Sequence, residues 1–128
     1  MDEDRLSPQL GRLIDEAKAA ARLLGVTGPE VEGVALLTGE GTVHSGATAG
    51  APGERGSAAQ AALDWARSAG DQEILAAAVA APFDPADTVP PSGESFRCLS
   101  GVDPDLPLVF KQDGRWVMLP ASRVTPAC

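Results

Sequence analysis

Three serines and a glutamate, at the starts of two predicted helices, are the first candidates for chemistry in this 128-residue chain. Ser57 opens one predicted helix, and Ser92 opens the next, with Glu94 and Ser95 in its first turn. A serine at a helix start accepts a hydrogen bond from an unpaired backbone N–H, which stabilises the helix by about 1 kcal/mol. A carboxylate in the first turn balances the positive end of the helix dipole. Their residue types therefore favour helix capping over catalysis.

The other reactive side chains do not form a recognisable catalytic set. His44 has no second histidine or cysteine nearby, which favours an ordinary surface or half-buried histidine. Cys98 has no paired base and is expected to be a small core residue. A triad of Ser57, His44 and Asp64 has no turn that would present the serine as a nucleophile. The glycines follow neither the P-loop nor the dinucleotide-binding spacing, so nucleotide triphosphate binding is unsupported.

Composition disfavours several classes of partner. The net charge of −8 repels phosphate backbones, and the two tryptophans and three phenylalanines, with no tyrosine, offer few groups for base stacking. The acidic start lacks the basic region of a signal peptide, and no apolar run approaches the roughly 20 residues that span a membrane. The two cysteines make neither a metal cluster nor a disulfide framework. We expect a cytoplasmic protein with no nucleic-acid and no membrane partner.

Hydrophobic periodicity and turn residues predict eight elements in the order α-β-β-α-β-α-β-β. The helices are expected over about 8–24, 57–70 and 92–100, and the strands over about 33–38, 42–47, 73–81, 106–111 and 115–119. Ala58, Ala61, Ala62 and Trp65 are expected on the inward face of the second helix. Crossovers between strands place helices on both faces of a sheet. The sequence predicts one three-layer α/β/α domain over 1–128, with a five-stranded mixed sheet.

This order and several local segments resemble the small cytidine deaminases that act on free nucleosides. Residues 13–21 (LIDEAKAAA) resemble that family's opening helix, and residues 33–38 (GVALLT) resemble its first strand. In the family, His or Cys followed by Ala-Glu opens the second helix, and Pro-Cys-Gly-x-Cys opens the third. The aligned segments here are Ser57-Ala58-Ala59 and Pro91-Ser92-Gly93-Glu94-Ser95. The resemblance covers essentially the whole chain and implies a cytidine-deaminase-like fold.

The resemblance also implies that the family's chemistry is lost. The deaminase reaction needs a zinc ion that activates water, held by thiolate or imidazole donors with one position open. Ser57, Ser92 and Ser95 offer neutral hydroxyls at the aligned positions. Ala59 stands where the family has the glutamate that carries the proton, and Thr48-Ala49-Gly50 replaces the Asn-x-Glu that holds the ribose. We expect no zinc, no other cofactor and no deaminase activity.

The sequence leaves two functions open. The first is an inactive binding, assembly or regulatory module, for which the resemblance implies a homodimer or homotetramer. The other partners considered for this module are an unidentified protein, such as an active relative, and a small anionic ligand. The second is an enzyme with altered, metal-independent chemistry, hydrolytic or biosynthetic, that uses Glu94, Arg97 or His44 in the former cleft. The residues expected to line a vestigial pocket for water or an anion are Ser57, Ala59, Ser92, Glu94 and Ser95.

Overall fold

The computed structural model describes residues 8–22, 32–48, 58–70, 73–80 and 93–124. In these residues three helices and five strands follow one another in the predicted order. The helices are α1 (Pro8–Arg22), α2 (Ala58–Ser68) and α3 (Gly93–Val102), and the strands are β1 (Glu32–Thr38), β2 (Val43–Thr48), β3 (Ile74–Ala80), β4 (Pro107–Gln112) and β5 (Arg115–Pro120). A short 3-10 helix, Ala121–Arg123, follows β5 and was not predicted. Across the described ranges, no helix is long and apolar enough to cross a membrane.

The five strands form one mixed sheet in the order β2-β1-β3-β4-β5. Strand β1 pairs antiparallel with both β2 and β3, β3 pairs parallel with β4, and β4 pairs antiparallel with β5. Glu32, the first residue of β1, pairs with Thr48 at the end of β2, and Gly33 pairs with Ala80 at the end of β3. The start of β1 and the ends of β2 and β3 therefore share one end of the sheet. Helices α2 and α3 follow β2 and β3 in the chain, so each begins after a strand that ends there.

Helices cover both faces of the sheet, as the sequence predicts. Side chains of a strand alternate between faces, and in β1 this alternation separates two clusters of buried residues. Val34 and Leu36 pack with α2 and with Leu99 of α3. Ala35 and Leu37 pack with α1 on the opposite face. The predicted α/β/α arrangement with a five-stranded mixed sheet is therefore confirmed.

Two glycines let the helices approach the sheet closely. A Cβ built on Gly46 of β2 would lie 2.7 Å from the Ala61 Cβ and 2.7 Å from the Ala62 backbone nitrogen, both in α2. A Cβ on Gly33 of β1 would overlap the Ala17 carbonyl oxygen of α1. Only a hydrogen atom fits at these two positions without a shift of the helix. The backbone of α2 therefore rests directly on β2, and this contact sets its height above the sheet.

The predicted inward face of α2 is wrong at Trp65, which is 65% exposed. The buried residues of the helix are small or of medium size: Ala58, Ala59, Ala62, Leu63 and Ala66. Ala61 is partly buried, and its methyl group lies above Gly46. Above Gly46, α2 contacts the strand with backbone atoms of Ala58 and Ala62 and with the methyl group of Ala61.

The predicted turns are confirmed by their backbone angles. Asp113 and Gly114 have φ values of 52° and 80°, as the two central residues of a type I′ hairpin turn require. Gly70, with a φ of 84°, follows the end of α2, and its N–H donates to the Arg67 carbonyl at 3.0 Å. Glycine is the usual residue at this left-handed position after a helix.

Candidate functional site

The first turns of α2 and α3 meet at the end of the sheet described above. Ala59 is the second residue of α2, Ser95 is the third residue of α3, and both side chains are fully buried. The Ala59 N–H donates a hydrogen bond to the Ser95 Oγ at 3.3 Å, although the two residues are 36 positions apart in the chain. The structure thus brings together two of the five residues predicted for the vestigial pocket.

The side chains of the other three predicted pocket residues lie outside the described part of the structure. Ser57 and Ser92 lie outside the described residues, and each directly precedes the first residue of a helix, Ala58 or Gly93. Glu94 lies in the first turn of α3, and its side chain is outside the described part of the chain. The capping and pocket-lining roles of these three residues stay predictions.

Glu32, at the start of β1, is a member of this site that was not predicted. The Ser95 hydroxyl donates a hydrogen bond to the Glu32 Oε1 at 2.5 Å, a length typical of an O–H bonded to a carboxylate. Glu32 is two residues from buried Val34 and four from buried Leu36, so it lies on the face of β1 that α2 and α3 cover. This spacing of two residues is visible in the sequence. A carboxylate on the side of a strand that faces the core needs a polar partner there.

The directions of the two hydrogen bonds follow from the donors that are available. The first N–H groups of a helix have no partner within the helix, so the Ala59 N–H needs an acceptor from elsewhere. A hydroxyl has one proton and two lone pairs, so Ser95 can accept from Ala59 while it donates to Glu32. Ser95 therefore caps a helix, as its residue type predicts, and the helix that it caps through this bond is α2, 36 positions away in the chain.

The other candidates of the sequence lie away from Ser95 or have ordinary roles. His44 is half-buried and pairs with Leu36, four residues along β1 from Glu32, which is about 13 Å along a strand. Cys98 packs against the core, as predicted, and its Sγ donates to the Gln60 Oε1 at 3.6 Å. Arg97 is exposed on α3.

Solved structures share this fold. The 1.6 Å crystal structure of cytidine deaminase from Burkholderia pseudomallei matches with a TM-score of 0.72 and 26% sequence identity, over 96% of this chain and 100% of that one. The chain is cytidine-deaminase-like. Cytidine deaminase from Mycobacterium leprae matches in fold, with a TM-score of 0.63 and 17% identity over 88% of this chain and 94% of that one. Neither a protein-family model nor a curated protein matches the sequence.

The described donors at the junction of α2 and α3 do not fit a zinc ion. Protein zinc sites are built from thiolates, imidazoles and carboxylates, usually with at least three protein ligands. Here the described side chains are one neutral hydroxyl (Ser95), one carboxylate (Glu32) and one methyl group (Ala59). Within the described ranges, no group of three or more His, Cys, Asp and Glu residues could hold a metal ion. The hydroxyl also holds its proton in the bond to Glu32, whereas a metal ligand needs a lone pair on a basic donor.

Proposed function

We propose that this cytidine-deaminase-like chain is catalytically inactive and zinc-free, and that it acts in the cytoplasm as a binding or assembly module. The observation that carries the proposal is the fully buried methyl group of Ala59 in the first turn of α2. By the resemblance, a deaminase has its proton-carrying glutamate at this position, and a methyl group cannot accept or donate a proton. The neighbouring donor, Ser95, is a neutral hydroxyl in place of a thiolate.

Metal analysis and a deaminase assay test the inactive, zinc-free part of this proposal. Protein purified without chelators should contain no stoichiometric zinc, and it should release no ammonia from cytidine or deoxycytidine above the buffer rate. About one zinc per chain, or turnover that a chelator abolishes, would show the proposal to be wrong.

A variant in which the four aligned positions carry the deaminase residues, called the restored variant, tests whether these positions surround one site. It combines Ser57→Cys, Ala59→Glu, Ser92→Cys and Ser95→Cys. If these positions surround one site, the variant should bind cobalt with the thiolate-to-metal absorption of a tetrahedral cysteine site, since thiolates select such metals. The unaltered chain should show no such band. A restored variant that folds and binds no cobalt would contradict the alignment.

The charge at the site favours a protein partner over a small anionic ligand. Glu32 already places a carboxylate against Ser95, and a second anion at this point would be repelled by it. Trp65 on α2 is 65% exposed, and large aromatic residues are enriched at protein interfaces. The resemblance implies dimers or tetramers, so we propose a second copy of this chain as the partner.

Light scattering on a size-exclusion column tests this assembly. The unaltered chain should elute with the mass of a dimer or tetramer, and Trp65→Gln should shift the mass toward that of one chain. Leu75→Gln is the matched control, because Leu75 is also an exposed large apolar residue, at 46%, but lies in β3. A single-chain mass at every concentration would refute self-assembly.

The alternative function, a metal-independent enzyme, is favoured by one contact. The Ser95 hydroxyl bonded to the Glu32 carboxylate resembles a nucleophile beside its base. The burial of Ser95 opposes this function, since a fully buried oxygen is out of reach of a substrate. An aryl or alkyl fluorophosphonate, which bonds to activated serines with loss of fluoride, separates the two. A mass increase mapped to Ser95 would favour the enzyme, and an unlabelled Ser95 would favour the module.

A further inference from the structure

The hydrogen bonds at Ser95 connect three elements that are distant in the sequence. Glu32 belongs to β1, Ala59 to α2 and Ser95 to α3, and the two bonds span 63 and 36 positions of the chain. Proton donation runs in one direction, from the Ala59 N–H to the Ser95 hydroxyl and from that hydroxyl to the Glu32 carboxylate. Each bond in such a series polarises the next and strengthens it.

The negative charge of Glu32 is opposite in sign to the helix ends that lie beside it. The N-terminal end of a helix carries about half a positive elementary charge, and the first turns of α2 and α3 both lie at Ser95. A negative carboxylate is therefore stabilised at this point. By the resemblance, a deaminase fills the same junction with a zinc ion and its ligands, whereas the described side chains here do not fit zinc.

We propose that Glu32 ties β1 to α2 and α3 through Ser95, and that this contact takes over the link between the starts of α2 and α3 that the metal makes in a deaminase. The inference rests on the zinc-free part of the proposed function and adds a residue and a role to it. Glu32 acts here as a positioning residue, which holds the Ser95 hydroxyl in the orientation that caps α2.

A double-mutant cycle on chelator-treated protein tests this link by its effect on the melting temperature. Glu32→Ala and Ser95→Ala should each lower the Tm by roughly 5–10 °C, since each removes the part-buried, charge-assisted hydrogen bond between Ser95 and Glu32. The double variant should lose clearly less than the sum of the two, because residues in one hydrogen-bonded network are coupled. Glu40→Gln, which removes an exposed carboxylate from the β1–β2 turn, is the matched control and should leave the Tm unchanged within about 1 °C.

Amide exchange at Ala59 gives a second measurement that a general loss of packing would not reproduce. In Ser95→Ala the Ala59 N–H should exchange roughly tenfold faster or more, relative to the buried amide of Ala66 later in α2. Glu32→Gln keeps the size of the side chain and an oxygen acceptor, so it provides a folded variant should Glu32→Ala not fold. Its Tm should fall less than that of Glu32→Ala, and its Ala59 amide should exchange faster than in the unaltered chain but slower than in Ser95→Ala.

Two results would overturn the link in a protein that holds no zinc. One is additive losses in the double variant. The other is a Glu32→Gln variant whose Tm equals that of Glu40→Gln and whose Ala59 exchange is unchanged. Stoichiometric zinc or deaminase turnover in the unaltered chain would instead refute the proposed function, so the two failures are distinguishable.

Discussion

Replacing Gly46 by alanine should lift α2 from the sheet and destabilise the protein. The added Cβ would lie 2.7 Å from the Ala62 nitrogen and 2.9 Å from the Ala58 carbonyl oxygen, both backbone atoms that no change of rotamer can move. Ordinary contact begins at 3.4 Å, so the helix must retreat by about 0.7 Å, a gap that forfeits a quarter to a half of each affected dispersion contact. Overpacking of this kind costs roughly 1–3 kcal/mol, and the stiffer unfolded chain of an alanine variant offsets about 0.4–1 kcal/mol of that loss.

Urea unfolding of Gly46→Ala and of a matched glycine variant tests this magnitude. We expect a net loss of about 1–2 kcal/mol, or roughly 4–8 °C in Tm for a chain of this length. Gly11→Ala in α1 is the control, because nothing lies within 4 Å of the added Cβ, and it should gain about 0.5–1 kcal/mol from helix propensity. Because Ala59 lies in the first turn of α2, its amide should also exchange faster in Gly46→Ala. A Gly46→Ala variant as stable as the unaltered chain, with the same denaturant dependence, would refute the close approach of α2 to β2.

Four further substitutions probe the sheet, the turn and the two tryptophans. Gly33→Ala should lose stability near the upper end of the roughly 1–3 kcal/mol range for overpacking, because its Cβ meets the backbone of α1; a urea midpoint above that of Gly46→Ala would count against this. Gly114→Ala, with open space around the Cβ but a φ of 80°, should lose about 1 kcal/mol from backbone strain alone, and an unchanged midpoint would argue against the type I′ turn. Trp116→Ala should cost roughly 3–5 kcal/mol because Trp116 is only 4% exposed. Trp65→Gln should stay within about 0.5 kcal/mol in the isolated chain; similar thermal melts for the two tryptophan variants would contradict the exposure of Trp65.

Local patterns were sufficient to predict the elements and their layers. The alternation of Val34 and Leu36 with Ala35 and Leu37 sorts β1 into two faces, because successive side chains of a strand point in opposite directions. The Asp113-Gly114 pair predicts its turn, since few other dipeptides adopt positive φ at both positions. The strand alternation and the turn dipeptide reflect local backbone geometry, so they predict structure independently of the function of the protein.

The contacts that build the site are tertiary, and the sequence predicted them less well. Trp65 fits the hydrophobic stripe of a helix, but it is 65% exposed, and only the packing against the sheet shows that the buried face of α2 is made of other residues, such as Ala62 and Ala66. Ser95 has the residue type of a cap, yet only the packing of α3 beside α2 decides which helix it caps. Glu32 was within reach of the sequence, because its phase with Val34 predicts an inward carboxylate.

The charges at the junction of α2 and α3 explain why Glu32 and the serines belong together. A cysteine ligand is a thiolate, so the proposed zinc-free chain, with serines at the aligned positions, lacks negative charge that would face two positive helix ends, as well as the metal. A serine hydroxyl alone cannot restore that charge. The Glu32 carboxylate provides one negative charge at Ser95. By accepting the hydroxyl proton, it polarises the Ser95 oxygen that accepts from the Ala59 N–H. The two positive helix ends thus face a carboxylate and a hydroxyl at this point, which agrees with the proposed zinc-free site.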